Sequence, residues 1–185
     1  MTLTSEMLRD FSDGEAMLSA VARGRPQWLR EPPPRIQSVR VYIRSRGTAM
    51  AKLPDAEQAL VVRTDFSDQA TWEAVQRDIT QLIDGFQAYV HFVDDREFSG
   101  LSVPELVKAA GHDRSYVMVV DRTTIESADH PVLVIDLFDE PGRTFRALPS
   151  SVQAIENNLS IANMDFEEFA RAVGKDGIFR GFPTF

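Results

Sequence analysis

The sequence predicts an α/β fold: a mixed sheet in the order β-α-β-α-β, followed by an antiparallel hairpin and two C-terminal helices. Three short apolar runs, at residues 59–64, 88–93 and 116–121, have the length and composition of buried strands. Amphipathic helical patterns separate these runs, which is typical of β-α-β units. Two further apolar runs enclose a strong turn signal at residues 140–143, which predicts the hairpin.

The first helix is predicted over residues 68–83, with Ser67 or Asp68 as its N-cap. Gly85 is the expected stop signal just beyond it. One apolar stripe at three-to-four spacing defines the side that we expect to be buried: Trp72, Val75, Ile79, Leu82 and Ile83.

The second helix is predicted over residues 103–110. Ser102 and Glu105 have the spacing of a capping box, Pro104 lies in the first turn, and Gly111 ends the helix. Right-handed crossovers place the two helices on one face if the three strands extend in one direction. They place them on opposite faces if the first strand is central. The sequence leaves both arrangements open.

The connection after the third strand predicts a change of strand direction. Only nine residues, 122–130, separate it from the apolar run at 132–138, whereas a parallel crossover usually needs about a dozen or more. We therefore expect an antiparallel fourth strand, a tight turn and a returning fifth strand over residues 143–148. Asp136 then lies at the opposite end of the sheet from the aspartates that follow the first three strands.

The last 35 residues predict two helices and a docked tail. Apolar residues at helical spacing mark both helices: Val152, Ile155, Leu159 and Ala162 in the first, and Phe166, Phe169, Ala170 and Val173 in the second. Asn163 or Asp165 is the expected cap of the second helix. The tail carries three aromatic residues, which we expect to pack on the domain: Phe179, Phe182 and Phe185.

Composition divides the chain into an N-terminal extension, residues 1–52, and a single α/β domain, residues 53–185. Residues 1–50 carry eight arginines against five acidic residues, whereas the remainder carries 12 basic against 23 acidic residues. The net charges are therefore +3 and −11. We expect the Arg/Pro-rich extension to be partly ordered, with a short helix after Ser12, polyproline II at residues 32–34 and an edge strand at 39–44.

Several function classes lack their sequence signals. There is no cysteine, no GxSxG nucleophile elbow, no phosphate loop and no GxGxxG. His91, His112 and His130 share no metal-ligand spacing. The acidic domain lacks the basic footprint of nucleic-acid binding, and no apolar stretch approaches the roughly 20 residues that span a bilayer. We expect a cytoplasmic protein that binds neither nucleic acid nor membrane, and the oligomeric state is open.

Four aspartates follow the first three predicted strands: Asp65, Asp94, Asp95 and Asp121. If these strands are parallel neighbours, the aspartates gather at the edge where open α/β sheets bind ligands. Carboxylate oxygens are the ligands that Mg²⁺ prefers. The alternative is that the same residues cap helices and turns beside neighbouring arginines. We expect no cofactor, with Mg²⁺ as the open alternative.

The segment around the first C-terminal helix is a second candidate site. Asparagine pairs are poor helix formers, so Asn157 and Asn158, beside Glu156, are expected to make specific hydrogen bonds. One possibility is a polar tie to the hairpin that carries Arg143 and Arg146. The other is that these five residues form a recognition face for a partner protein.

Four sequence motifs together resemble an uncharacterised bacterial family, a domain of unknown function. They are RTDFSD at residues 63–68, FVDD at 92–95, DLFDEPGRTFR at 136–146 and ENNLSIANMDF at 156–166. The resemblance covers roughly residues 55–182. It implies a small cytoplasmic α/β domain and implies no activity.

Three functional hypotheses remain. The first is a non-enzymatic protein-binding or regulatory module, because acidic surfaces steer basic partners. The alternative is a metal-dependent hydrolase or phosphotransfer-type domain in which Asp65, Asp94 and Asp121 hold Mg²⁺. In the third, the Arg-rich extension carries the interaction and the domain supports it. We lean against an enzyme because no catalytic constellation accompanies the carboxylates.

Overall fold

A mixed β-sheet forms the centre of the computed structural model, which describes residues 51–83 and 85–182. The predicted helix, polyproline segment and edge strand of the N-terminal extension lie outside these residues. The described strands are β1 (Ala59–Arg63), β2 (Val90–Val93), β3 (Tyr116–Val120), β4 (Val132–Asp136), β5 (Thr144–Ala147) and β6 (Ile178–Phe179).

The described helices are α1 (Gln69–Ile79), α2 (Val103–Ala110), α3 (Arg122–Glu126), α4 (Val152–Ser160) and α5 (Phe166–Arg171). Short 3₁₀ turns occur at Arg96–Phe98 and Pro149–Ser151. The capping box predicted for the second helix is present at Ser102 and Glu105. No helix in the described ranges is long and apolar enough to cross a membrane.

The strand order is β2-β1-β3-β4-β5-β6. β1 pairs in parallel with β2 and β3, and β3, β4 and β5 are successively antiparallel. The predicted α/β class, mixed sheet and antiparallel hairpin are therefore confirmed. The turn between β4 and β5 has the predicted form, because Gly142 has a positive φ of 95° and the Arg143 N–H donates to the carbonyl of Glu140 at 2.8 Å.

The position of β1 between β2 and β3, the other two parallel strands, decides which faces the helices cover. Right-handed crossovers on either side of a central strand place α1 and α2 on opposite faces of the sheet. Trp72 and Ile79 of α1 are buried in one core layer, which α4 and α5 share. Leu106 of α2 lies in the other layer. β3 is buried along its whole length, because both of its faces are covered.

The first helix ends earlier than its apolar stripe predicts. α1 stops at Ile79, and the Thr80 hydroxyl donates to the Gln76 carbonyl at 2.8 Å at its C-terminal end. Leu82, which we expected on the buried stripe, is 68% exposed. The prediction for residues 80–83 was wrong because periodicity alone does not show where backbone hydrogen bonding ends.

Two small elements were not predicted. α3 lies within the nine-residue connection and begins with a capping box between Asp121 and Thr124, but five residues are too few to show an apolar period. β6 pairs in parallel with β5 and brings Phe179 into the core. Phe182 packs on Phe179 and on Phe169 in α5, with ring centroids 5.1 and 5.4 Å apart. Docking of the tail is confirmed for these two aromatics, whereas Phe185 lies outside the described residues.

Candidate functional site

Strand direction distinguishes two opposite ends of the sheet, one where the parallel strands finish and one where they begin. The C-terminal ends of the parallel strands β1, β2 and β3 share one edge, which we call the carboxyl edge. Their N-terminal ends share the other, the amino edge, where the antiparallel β4 ends. The carboxyl edge comprises segments 64–68, 94–102 and 121–131. The amino edge comprises segments 51–58, 80–83, 85–89, 111–115, 137–143 and 161–165.

Two aspartates of the carboxyl edge cap their own loops. The carboxylate of Asp65 accepts the N–H of Ser67 at 2.8 Å and also accepts the Ser67 hydroxyl. The carboxylate of Asp95 accepts the N–H of Glu97 at 2.8 Å and begins the first 3₁₀ turn. Both bonds join residues two positions apart, so they follow from local backbone geometry.

Asp94 contacts a buried arginine, Arg63, whose role the sequence motifs did not indicate. Arg63, at the end of β1, is only 3% exposed, and its Nη1 lies 3.2 Å from Oδ1 of Asp94 and 2.7 Å from Oε1 of Gln69. Its Nε donates to the carbonyl of Asp65 and its Nη2 to that of Asp68. In the sequence, the indication of this role is that Arg63 is the single charged residue at the end of the apolar run ALVVR.

Arg63 also joins the carboxyl edge to the core. Its guanidinium lies 4.5 Å from the ring centroid of Phe66 and 5.3 Å from that of Trp72. Arg96 stacks on Phe66 as well, at 5.0 Å. Because the buried guanidinium has partners on Asp94, Gln69 and two carbonyls, its charge is compensated within the fold.

Asp121 has two structural roles. It caps α3 by accepting the N–H of Thr124 at 3.0 Å, and it forms a two-point contact with Arg146 of β5, at 3.1 Å and 2.6 Å. Burial acts to raise the pKa of Asp121, but the hydrogen bonds from Arg146 and Thr124 outweigh it and hold this pKa below its usual value. The ionised carboxylate is therefore the form that the fold stabilises.

The carboxyl edge thus consists of caps and ion pairs. Within residues 51–83 and 85–182, no group of three or more His, Asp or Glu side chains is arranged to hold a metal ion. His91 and His112 are exposed, and Nδ1 of His130 lies 2.9 Å from the Thr124 carbonyl. The magnesium site at Asp65, Asp94, Asp95 and Asp121 remains a prediction without a structural arrangement that favours it.

The five residues of the predicted partner face are not gathered on one surface. Glu156 is buried and accepts the N–H of Tyr89 at 3.0 Å. Arg143 contacts Glu140 and Glu167, and Arg146 lies at the carboxyl edge with Asp121. The side chains of Asn157 and Asn158 do not form the predicted hydrogen bonds with the hairpin.

Asn158 instead shapes the end of α4. Its Nδ2 donates to the Ala154 carbonyl, its Oδ1 accepts from Nδ2 of Asn163, and its carbonyl accepts the Asn163 N–H at 2.9 Å. The Ala162 N–H donates to the Leu159 carbonyl, which completes a Schellman motif. This motif fixes the turn that leaves Ile161 75% exposed.

The turn after β4 is fixed in a similar way. Asp136 is 2% exposed, and its carboxylate accepts the backbone N–H groups of Phe138, Asp139 and Glu140. Three donors satisfy a buried carboxylate within its own turn. Phe138 is consequently held outside the core and is 73% exposed.

The amino edge collects exposed apolar side chains. Of six large apolar residues that are exposed in the described ranges, all but Phe182 lie in its segments: Leu82, Phe86, Tyr89, Phe138 and Ile161. The same segments carry six acidic residues, namely Asp55, Glu57, Asp113, Asp139, Glu140 and Asp165, against three basic ones, Lys52, Arg114 and Arg143. The guanidinium of Arg114 donates to three carbonyls of residues 54–58, which occupies its hydrogen-bonding groups.

Two cavities open at the amino edge and share Ser115, Tyr116 and Ser160 as lining residues. The smaller holds about 270 Å³ and the larger about 400 Å³. Tyr116 is 7% exposed, and its hydroxyl is buried without a hydrogen-bond partner. Burial, and then the charge of Glu156, raise the pKa of Tyr116, so the hydroxyl stays protonated and remains a donor.

These features define a small α/β domain with a structural carboxyl edge and an exposed, apolar and acidic amino edge. A family model described as Domain of unknown function (DUF6924) matches residues 58–182. The chain belongs to this family, which confirms the resemblance to an uncharacterised domain family. No curated protein matches the sequence.

Proposed function

We propose that this chain is a non-enzymatic module that binds a basic protein through its amino edge. The observation that carries the proposal is the concentration of exposed large apolar side chains, among them Phe138 and Ile161, in loops that also bear an excess of carboxylates. Scattered exposed apolar residues are normal on a protein surface, but a cluster with a polar surround is typical of an interaction site.

Charge supports a basic partner. Residues 51–185 carry 12 basic and 23 acidic residues, a balance of −11. Such a surface attracts a positively charged protein during encounter and disfavours anionic partners. On the amino edge, Arg114 and Arg143 are occupied by contacts within the domain, so the exposed carboxylates dominate what a partner meets.

The carboxyl edge supports the non-enzymatic part of the proposal. A catalytic carboxylate needs to reach a substrate or a metal ion. Asp65 and Asp95 cap backbone N–H groups, while Asp94 and Asp121 contact Arg63 and Arg146. These caps and ion pairs therefore account for the positions of the four aspartates without a catalytic role.

The proposal is tested by capture from cell extract on three immobilised full-length proteins. The first is wild type, and the second carries four serine substitutions on the amino edge, at Leu82, Phe86, Phe138 and Ile161. The third is a matched control with four serine substitutions at exposed positions of the carboxyl edge, Arg96, Glu97, Arg122 and Glu126. Circular dichroism and thermal melting establish that all three are folded.

We expect wild type and the control to retain the same basic proteins, and we expect the amino-edge variant to lose them. Moderate salt should elute these proteins. The proposal is wrong if the amino-edge variant retains the same proteins as wild type. It is also wrong if the specifically bound proteins are acidic, or if salt does not weaken their binding.

A further inference from the structure

We infer that the larger amino-edge cavity receives one bulky apolar side chain of the partner, flanked by lysine or arginine. This inference rests on the proposed function and specifies its anchor site. It goes beyond that function by naming a pocket and a binding chemistry.

The cavity has the shape and lining that an anchor side chain needs. Phe138 lines it from the turn after β4, and Leu159, Met164 and Phe166 line it from the end of α4 and the start of α5. Its volume of about 400 Å³ lies in the lower part of the range of small ligand sites, roughly 300–1,000 Å³. That size suits a single large side chain and its adjoining backbone rather than a whole helix.

Charge at the cavity mouth selects the flanking residues. Asp139 and Asp165 line the cavity and are exposed, although the Asp165 carboxylate also accepts the Glu168 N–H in the capping box of α5. The carboxylate of Asp136 is already satisfied by three backbone N–H groups. A lysine or arginine next to the apolar anchor can contact the exposed pair. An acidic flanking residue or an anionic small molecule would be repelled.

The walls are held in place before any partner binds. The Schellman motif at Asn158 and Asn163 fixes the loop after α4, and Asp136 fixes the turn that presents Phe138. A preformed pocket requires little ordering on binding, which favours affinity.

The test uses short fluorescein-labelled peptides in a glycine–serine background, measured by fluorescence anisotropy with the full-length protein. The probe peptide has one tryptophan between two arginines. One control peptide replaces the tryptophan with alanine, and another replaces both arginines with glutamate. Ser160→Trp adds a bulky side chain at an exposed residue that lines both cavities. Phe138→Ser removes a lining side chain, and Phe86→Ser is the matched control, since Phe86 is similarly exposed but does not line the cavity.

We expect saturable binding of the probe peptide and at least tenfold weaker binding of both control peptides. Ser160→Trp and Phe138→Ser should weaken probe binding by tenfold or more, whereas Phe86→Ser should change it by less than twofold.

The inference is overturned if the probe does not bind at millimolar concentration or if Ser160→Trp binds it as wild type does. Suppose that the peptide test fails, but the four-substitution amino-edge variant captures fewer proteins from extract than wild type does. The proposed function then stands, and only the anchor site is wrong. If that variant retains every protein, the proposed function itself fails.

Discussion

The guanidinium of Arg146 contacts the carboxylate of Asp121 at two points, with Nη2–Oδ2 and Nη1–Oδ1 distances of 2.6 and 3.1 Å. This contact joins β5 to the end of β3, across the intervening strand β4. It also fills the position on the carboxyl edge that a ligand of Asp121 would need.

Loss of the Arg146 guanidinium should destabilise the domain. Arg146→Met leaves the partly buried Asp121 without its charged partner, and we expect the free energy of unfolding to fall by about 1–3 kcal/mol. Arg122→Met is the control, because Arg122 forms an exposed pair with Glu126 that is worth less than about 1 kcal/mol. Urea denaturation measures both changes, and equal effects would contradict a structural role for the Asp121 pair.

The same pair should make stability depend on acidity. The folded state holds the pKa of Asp121 below its usual value, so the ionised carboxylate stabilises the fold above the unfolded-state pKa, about 3.9. This contribution is lost as the pH falls through the folded-state pKa. The stability difference between wild type and Asp121→Asn should therefore be constant from pH 7 to pH 5 and shrink below about pH 4. If the stability difference between the two proteins instead grew as the pH fell, the pKa of Asp121 would be raised by folding and not lowered.

Arg63 should be irreplaceable by lysine. Its guanidinium contacts the side chains of Gln69 and Asp94 and two backbone carbonyls from a nearly buried position, and a single ammonium group cannot reach all four acceptors. We expect Arg63→Lys to cost about 2 kcal/mol, because a buried charge then loses several of its hydrogen bonds. Arg96→Lys, which replaces an exposed arginine stacked on the same Phe66 ring, should cost well under 1 kcal/mol by comparison.

A glycine at position 162 should stabilise the domain. Ala162 has a φ of 52° at the C′ position of α4, where glycine avoids the strain that a side chain suffers. We expect Ala162→Gly to raise the free energy of unfolding by up to about 1 kcal/mol. Ala154→Gly, within the same helix, is the matched control and should lower it by a similar amount. Thermal melting distinguishes the two signs.

Magnesium should not stabilise the protein. An ion bound only to the folded state raises the melting temperature in proportion to its affinity. Because the strand-end aspartates are occupied by caps and arginines, we expect millimolar Mg²⁺ to leave the melting temperature at its value in an equal ionic strength of NaCl. A saturable increase that Asp65→Asn and Asp94→Asn abolish would revive the metal-dependent alternative.

Local signals were sufficient for most of the secondary structure. The capping box of Ser102 and Glu105 predicted α2 over the residues that it occupies, because its hydrogen bonds join near neighbours. The short connection before β4 predicted an antiparallel strand, because chain length limits the crossover whatever the rest of the fold does. By contrast, the apolar stripe at Leu82 continued past the point where the helix ends.

The roles of Asp94 and Asp121, unlike those of Asp65 and Asp95, depended on partners distant in the chain. Asp94 and Arg63 are 31 positions apart, and Asp121 and Arg146 are 25 apart. The sequence predicted that the aspartates would follow strands, but it did not show which arginine would reach each of them. That choice depends on strand order, which placed β1 between β2 and β3, and β4 between β3 and β5.

The sequence alone therefore established the α/β class, the helix caps, the turn after β4 and the acidic charge of the domain, since each follows from composition or from short-range backbone geometry. Tertiary packing decided that Phe138 and Ile161 would share the amino edge and that Tyr116 would be buried there without an acceptor. The physical reason is that exposure and hydrogen-bond satisfaction are properties of neighbours in space. Those neighbours are known only once strand direction and helix packing are set.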